Sequence, residues 1–123
     1  MEGVKYDSEK LRYDLLPPEC IREIVEILTL GAKKYEDENW KKVDNAKDRY
    51  YAALMRHLEA WREGEKIDRE SGKRHLAHMA SNAIFLLWFD INDDKEDSFV
   101  RSLQFLSDLY RDSLGETKGE KDD

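Results

Sequence analysis

A chain of 123 residues with a formal charge of −7, 40% hydrophobic and 40% charged residues and only two prolines is enough sequence for one helical domain. The charge argues against duplex nucleic acid as a partner, because an acidic chain repels a polyanion. The single cysteine, Cys20, excludes an internal disulfide and a cysteine-rich zinc site and is read as core filler. No run is apolar for long enough to span a membrane and no signal region opens the chain, so no membrane partner is expected and the expected location is cytoplasmic.

Residues 1–16 show no sustained period and are read as an extended arm, which Pro17-Pro18 ends. Proline is tolerated in the first turn of a helix, and Ile21, Ile24, Val25, Leu28, Ala32 and Tyr35 follow at helical spacing, predicting a first helix from about Pro18 to Tyr35. Gly31 inside it implies the close approach of another backbone or a ligand, or else a local helix end. Glu36 to Asp48 reads as a polar connection whose Asn39-Trp40 needs something to pack on, either the core or a ligand. Asp48 is placed to cap a second helix bearing Tyr51, Leu54, Leu58 and Trp61, and Gly64 to end it. Glu65 to Gly72 is then a tight loop, and a third helix is expected from about Lys73 to Ile91.

That helix has His75, His78 and Asn82 on one face and Leu76, Ala80, Ala83 and Leu87 on another. Ala83 to Phe89 is apolar nearly all round, which predicts homo-oligomer contacts there or complete burial within one subunit. Asn92-Asp93-Asp94 reads as a turn, followed by a fourth helix carrying Phe99, Leu103, Leu106 and Tyr110 and ended by Gly115. No stretch alternates with period two for long enough to be a strand. The expected architecture is therefore all-α: a compact four-helix bundle-like domain within residues 1–115, preceded by an extended arm and completed by oligomerisation to a dimer or tetramer. Residues 116–123 are expected as a disordered charged tail.

The chemistry concentrates between Arg56 and Asn82. All three histidines, His57, His75 and His78, lie there with Glu65, Asp68 and Glu70. A helix, a tight acidic loop and a second helix bring such side chains into one space, as bundles do when they build metal sites. Carboxylates suit Mg²⁺ or Mn²⁺ and imidazoles tolerate Mn²⁺, so the mixture points to a hydrolytic divalent-ion centre rather than structural zinc. A solvated hairpin whose histidines bond locally is the plainer reading of the same residues. No glycine-rich phosphate loop and no His-Asp doublet occurs, and nothing places Cys20 near the histidines.

Six blocks in order, K-Y-D-S-E-K (5–10), L-L-P-P-E (15–19), G-A-K-K-Y (31–35) with N-W (39–40), A-L-M-R-H-L (53–58), G-E-K-I-D-R-E-S-G (64–72) and H-L-A-H (75–78), give the chain a family resemblance. It resembles the phage-type dATP/dGTP diphosphohydrolases, relatives of the all-α MazG-like nucleotide pyrophosphohydrolases. The resemblance implies an enzyme that uses Mg²⁺ or Mn²⁺ to split a purine deoxynucleoside triphosphate into monophosphate and pyrophosphate. It further implies that Glu65, Asp68 and Glu70 with His75 and His78 form a metal core and that a carboxylate among the first three takes the proton of the attacking water. Lys5, Asp7, Lys10, Lys33, Lys34, Tyr35, Asn39, Trp40, Arg56, His57 and Asn82 become candidates for substrate contact. One departure stands out: the usual MazG signature puts Glu-x-x-Glu on one helix and Glu-x-x-Asp on the next. Here Glu65-Lys-Ile-Asp68 carries the second spacing in a loop, and helix two offers Glu59 and Glu63 instead. A nucleotide-binding module without turnover and a purely structural oligomerisation domain are the competing readings.

Overall fold

The computed structural model describes residues 2–6 and 8–115, with the side chains of residues 96–98 outside that description. Among the described residues the fold is all-α, with three helices: α1 (Pro18–Lys34), α2 (Ala46–Arg62) and α3 (His75–Ser113). Short 3₁₀ turns at Tyr13–Leu15 and Asn39–Lys42 punctuate the arm and the first connection. The tail at 116–123 and Asp7 lie outside the described residues. No described helix is long and apolar enough to cross a membrane.

The helix ends follow from local chemistry. Pro18 occupies the first turn of α1, where its missing N–H goes unneeded. At the end of α2, Gly64 adopts a left-handed φ of 105°, and the Gly64 and Glu65 amides donate to the Trp61 and Ala60 carbonyls at 2.9 and 3.0 Å. That pair of reversed bonds satisfies carbonyls the helix leaves open. The loop then folds back on itself. Asp68 N–H donates to Lys73 O at 2.8 Å, His75 N–H to Lys66 O at 2.9 Å and Gly72 N–H to Asp68 O at 2.7 Å, with Gly72 at φ 72° making the reversal. Ile67 and Arg74 form an isolated antiparallel bridge at its neck.

Three expectations change. The second helix starts at Ala46, ahead of Asp48. The predicted turn at Asn92-Asp93-Asp94 does not form, and the expected third and fourth helices are one helix of 39 residues. None of the three residues breaks a helix, Asn92 Nδ2 donates to the Trp88 carbonyl at 2.8 Å, and Asp93 is ion-paired with Lys47 at the start of α2. Cys20 is exposed, at the outer end of α1, and is not core filler.

α2 runs antiparallel to α3 along its first half, and α1 is tied to the start of α3 by Lys73–Glu26 at 2.8 Å and Arg74–Glu23 at 3.7 Å. Small residues make the close approach: Ala46 and Ala77 are the buried apolar residues described, and Ser81 is 1% exposed. An aromatic cluster takes the place of a large aliphatic core. Trp40 stacks on Phe85 at 4.6 Å and meets Trp88 and Phe89 edge-on, while Tyr50 donates its hydroxyl proton to the Trp40 carbonyl at 2.7 Å. Trp40 is therefore a plug over α3, but only half-buried. No described Leu, Ile, Val, Met, Phe, Tyr or Trp is buried, so much of the apolar surface gains little from folding in a single chain.

Candidate functional site

The three histidines converge. His57 from the last third of α2 stacks face to face on His78 of α3, rings 4.4 Å apart and within 8° of parallel. Its Nδ1 lies 2.9 Å from Nδ1 of His75, whose Nε2 is 2.7 Å from Glu65 Oε1. A carboxylate only accepts, so His75 Nε2–H donates to Glu65. In the neutral ring His75 Nδ1 then takes the Nδ1–H of His57, which leaves His57 Nε2 as a free acceptor. His75 is 4% exposed, and these two bonds satisfy both its ring nitrogens.

A second chain of bonds runs beside the first. Ser71 Oγ–H donates to Asp68 Oδ2 at 2.7 Å, and Ser71 N–H reaches the same oxygen at 3.1 Å. The Ser71 hydroxyl oxygen accepts from His78 Nε2 at 2.7 Å and from the Lys73 amide at 3.1 Å. Burial pushes the Asp68 carboxyl up, but the two bonds from Ser71 and the nearby His78 and His57 outweigh it and hold Asp68 below its ordinary value. Burial lowers His57 first, assisted by the neighbouring His78, His75 and Arg56 against a smaller pull from Asp68. Burial likewise lowers His78, with Asp68 and Glu70 opposing. Both rings therefore favour the neutral form. Ser71 was missed in the sequence, where Ser71-Gly72 reads only as a break. The signal available was Asp68 three residues ahead of a serine, the spacing of an Asx-type turn.

Glu65, Asp68, His75 and His78 are thus brought together, while Glu70 is exposed on the loop. Their donor atoms are engaged with one another, and among the described residues no group of three or more His, Cys, Asp or Glu converges to hold a metal ion. As they stand these side chains do not fit a resident ion.

Beside the cluster a cleft of about 1180 Å³ opens between α1, the first connection and α2. Gly31 and Ala32 of α1 line one side, Tyr35, Asn39 and Trp40 the mouth, Tyr50, Ala53 and Arg56 of α2 the other side, and Asn82 and Phe85 of α3 the floor. Five expected contact residues, Tyr35, Asn39, Trp40, Arg56 and Asn82, meet here. Lys5, Lys10, Lys33 and Lys34 do not line it; they are exposed on the arm and at the end of α1, where Lys34 lies over the Tyr35 ring at 5.2 Å. Gly31 approaches no other backbone: a Cβ there would meet nothing within 4 Å, so the glycine leaves the cleft open. Asn82 Nδ2 donates to the His78 carbonyl at 2.8 Å, which leaves its Oδ1 acceptor and its second N–H for the cleft. Glu36, Asp37, Glu38, Asp48 and Arg49 also line the space and had no local signature, because only the tertiary fold gathers them.

Helices enclosing an aromatic-walled cleft beside a histidine–carboxylate cluster define a small all-α domain with one candidate site among the described residues. The chain belongs to the dATP/dGTP diphosphohydrolase family, whose N-terminal region matches residues 1–98. It is 31% identical over 99 residues to a dATP/dGTP diphosphohydrolase of Salmonella phage PMBT28, a match that covers 79% of this chain and 33% of that protein. The chain thus spans about a third of that relative's length. No solved structure matches the chain.

Proposed function

We propose that this chain hydrolyses dATP and dGTP to the monophosphate and pyrophosphate, with the purine in the cleft and the attacking water at its histidine end. The observation that carries this reading is the adjacency of Arg56, which lines the cleft, and His57, which stands in the cluster. A cleft of 1180 Å³ is ample against the roughly 300–1,000 Å³ of ordinary small-molecule sites. Trp40, Tyr35 and Tyr50 give a purine faces to stack on. Arg49 and Arg56 supply charge for phosphate oxygens, Arg in the forked geometry that suits them.

Glu36, Asp37, Glu38 and Asp48 on the same cleft repel a bare triphosphate. Mg²⁺ or Mn²⁺ is therefore expected to enter as part of the substrate, as the metal–nucleotide complex. At the histidine end, His57 is neutral and its Nε2 is the acceptor positioned to take a proton from water. Glu65 acts through His75 by fixing that tautomer, and Asp68 acts through Ser71 by fixing His78. The working unit is expected to be a homo-oligomer, in keeping with the exposed apolar surface. Incubation with each common deoxynucleoside triphosphate and Mg²⁺ or Mn²⁺, followed by detection of monophosphate and pyrophosphate, tests the reading. Turnover confined to or strongest with dATP and dGTP is the expected result. Absence of turnover with every nucleotide overturns it, and nucleotide retained without turnover would identify a binding module.

A further inference from the structure

α3 outruns its partners. Lys47 at the start of α2 pairs with Asp93, so the remaining twenty or so residues of α3, about 30 Å of helix, extend beyond the start of α2. Phe99, Leu103, Leu106 and Tyr110 recur there at spacings of four, three and four, a heptad seam, and are between 51% and 66% exposed. The seam from Phe99 to Tyr110 lies beyond residue 98, where the family match ends.

We propose that this overhang pairs antiparallel with the overhang of a second copy of the chain. Three observations favour a second copy. The seam is self-complementary: in an antiparallel pair Phe99 lies opposite Tyr110 of the second copy and Leu103 opposite Leu106, as a twofold interface requires. The charges fit as well. From Phe99 to Gly115, the stretch that holds the seam, Arg101 and Arg111 cancel Asp108 and Asp112, so the seam itself carries no net charge. Two copies can meet here without like-charge repulsion, and antiparallel pairing sets the two acidic bodies at opposite ends, whereas a parallel pair would set them side by side.

The third observation is area. The chain exposes 10869 Å², against roughly 6,900 Å² for a compact monomer of its mass, an excess to which the exposed arm and this overhang both contribute. A standard interface takes roughly 800 Å² per partner. Mass reports on the pairing and product formation on the proposed hydrolysis, so the two are read separately.

Light scattering on the full chain is expected to give at least twice 14.6 kDa, and Leu103→Glu with Leu106→Glu to give a single chain with α-helical circular dichroism largely kept, because both leucines are more than half exposed within one chain. A monomeric wild type, or a mass the double variant leaves unchanged, overturns the proposal. Disulfide trapping in a Cys20→Ser background stands in if that variant fails to fold. Leu103→Cys mixed with Leu106→Cys should give linked dimers on oxidation while each alone gives few, since like positions sit about 4.5 Å apart along the axis and fall outside disulfide reach. Linkage of each variant with itself and none in the mixture, or no linkage at all, refutes the antiparallel pair.

Discussion

Replacing Asp68 separates the clamp around His78 from the rest of the fold. One carboxylate oxygen takes both the Ser71 hydroxyl and the Ser71 amide, and the side chain is 19% exposed. Alanine removes that acceptor and both bonds and leaves an amide and a hydroxyl to find water; at about 1.5–3 kcal/mol for a bond to a charged group, discounted for partial exposure, the loss should be about 2–3 kcal/mol. Asparagine keeps one acceptor oxygen in place and should lose about 1 kcal/mol. Urea unfolding at one fixed protein concentration reads this, because association makes midpoints concentration-dependent. With a slope of about 1–3 kcal/mol per molar, alanine should move the midpoint by roughly 1–2 M with the slope unchanged. The gap between wild type and alanine should also close in acid. Asp68 has a folded pKa below its unfolded value, so its contribution is present above the unfolded value near 3.9 and is lost as pH falls through the folded one. Equal losses for alanine and asparagine, or a gap that persists in strong acid, would refute the clamp. Turnover supplies an independent reading: Asp68→Asn should slow it at least about tenfold, roughly 1.4 kcal/mol of transition-state stabilisation.

The remaining expectations concern the histidines and the cleft. Because His57 and His78 have folded pKa values below the unfolded one near 6.5, stability should be flat above that pH and fall below it through the folded values, at no more than about 1.4 kcal/mol per pH unit for each ring; a pH titration of urea midpoints that rises toward pH 5 would sink the neutral-ring assignment. Trp40→Ala should cost about 2–3 kcal/mol and raise KM for a purine nucleotide, whereas Trp40→Phe should restore most of both; unchanged KM in the alanine variant would remove Trp40 from the cleft wall. At Gly31 a Cβ meets nothing within 4 Å and the position sits in a helix, so in Gly31→Leu stability should hold or rise by up to about 1 kcal/mol while KM climbs severalfold. A Leu variant with wild-type KM would show that the nucleotide lies elsewhere.

The helix ends were legible where a single residue forces the backbone. Pro18 fixes its own φ and Gly64 supplies a left-handed φ that other residues adopt only at a cost, and the structure starts α1 and ends α2 at those residues. Asn92-Asp93-Asp94 lacked any such residue. Its low helix propensity is a matter of tenths of a kcal/mol per position, and the Lys47–Asp93 ion pair, between residues 46 apart in sequence, comes from the tertiary fold, which no local pattern contains. The site divides in the same way. That His57, His75 and His78 share a space followed from two helices joined by a tight loop. Which atom each ring would bond did not, because it depends on the fold-back of Lys66 to His75 and on Ser71 standing between Asp68 and His78.

Two residue pairs couple the cluster to the cleft. On α2, Arg56 lines the cleft while its neighbour His57 stacks on His78. On α3, Asn82 lines the cleft and binds the carbonyl of His78 one turn earlier. Ligand contact with Arg56 or Asn82 therefore bears on the two helices that set the spacing between the stacked rings. A change that leaves the cleft lining untouched but loosens the stack lets α2 shift against α3 and should alter substrate binding together with turnover. A change confined to the mouth, at Tyr35 or Asn39, lies on neither helix pair and should alter binding alone.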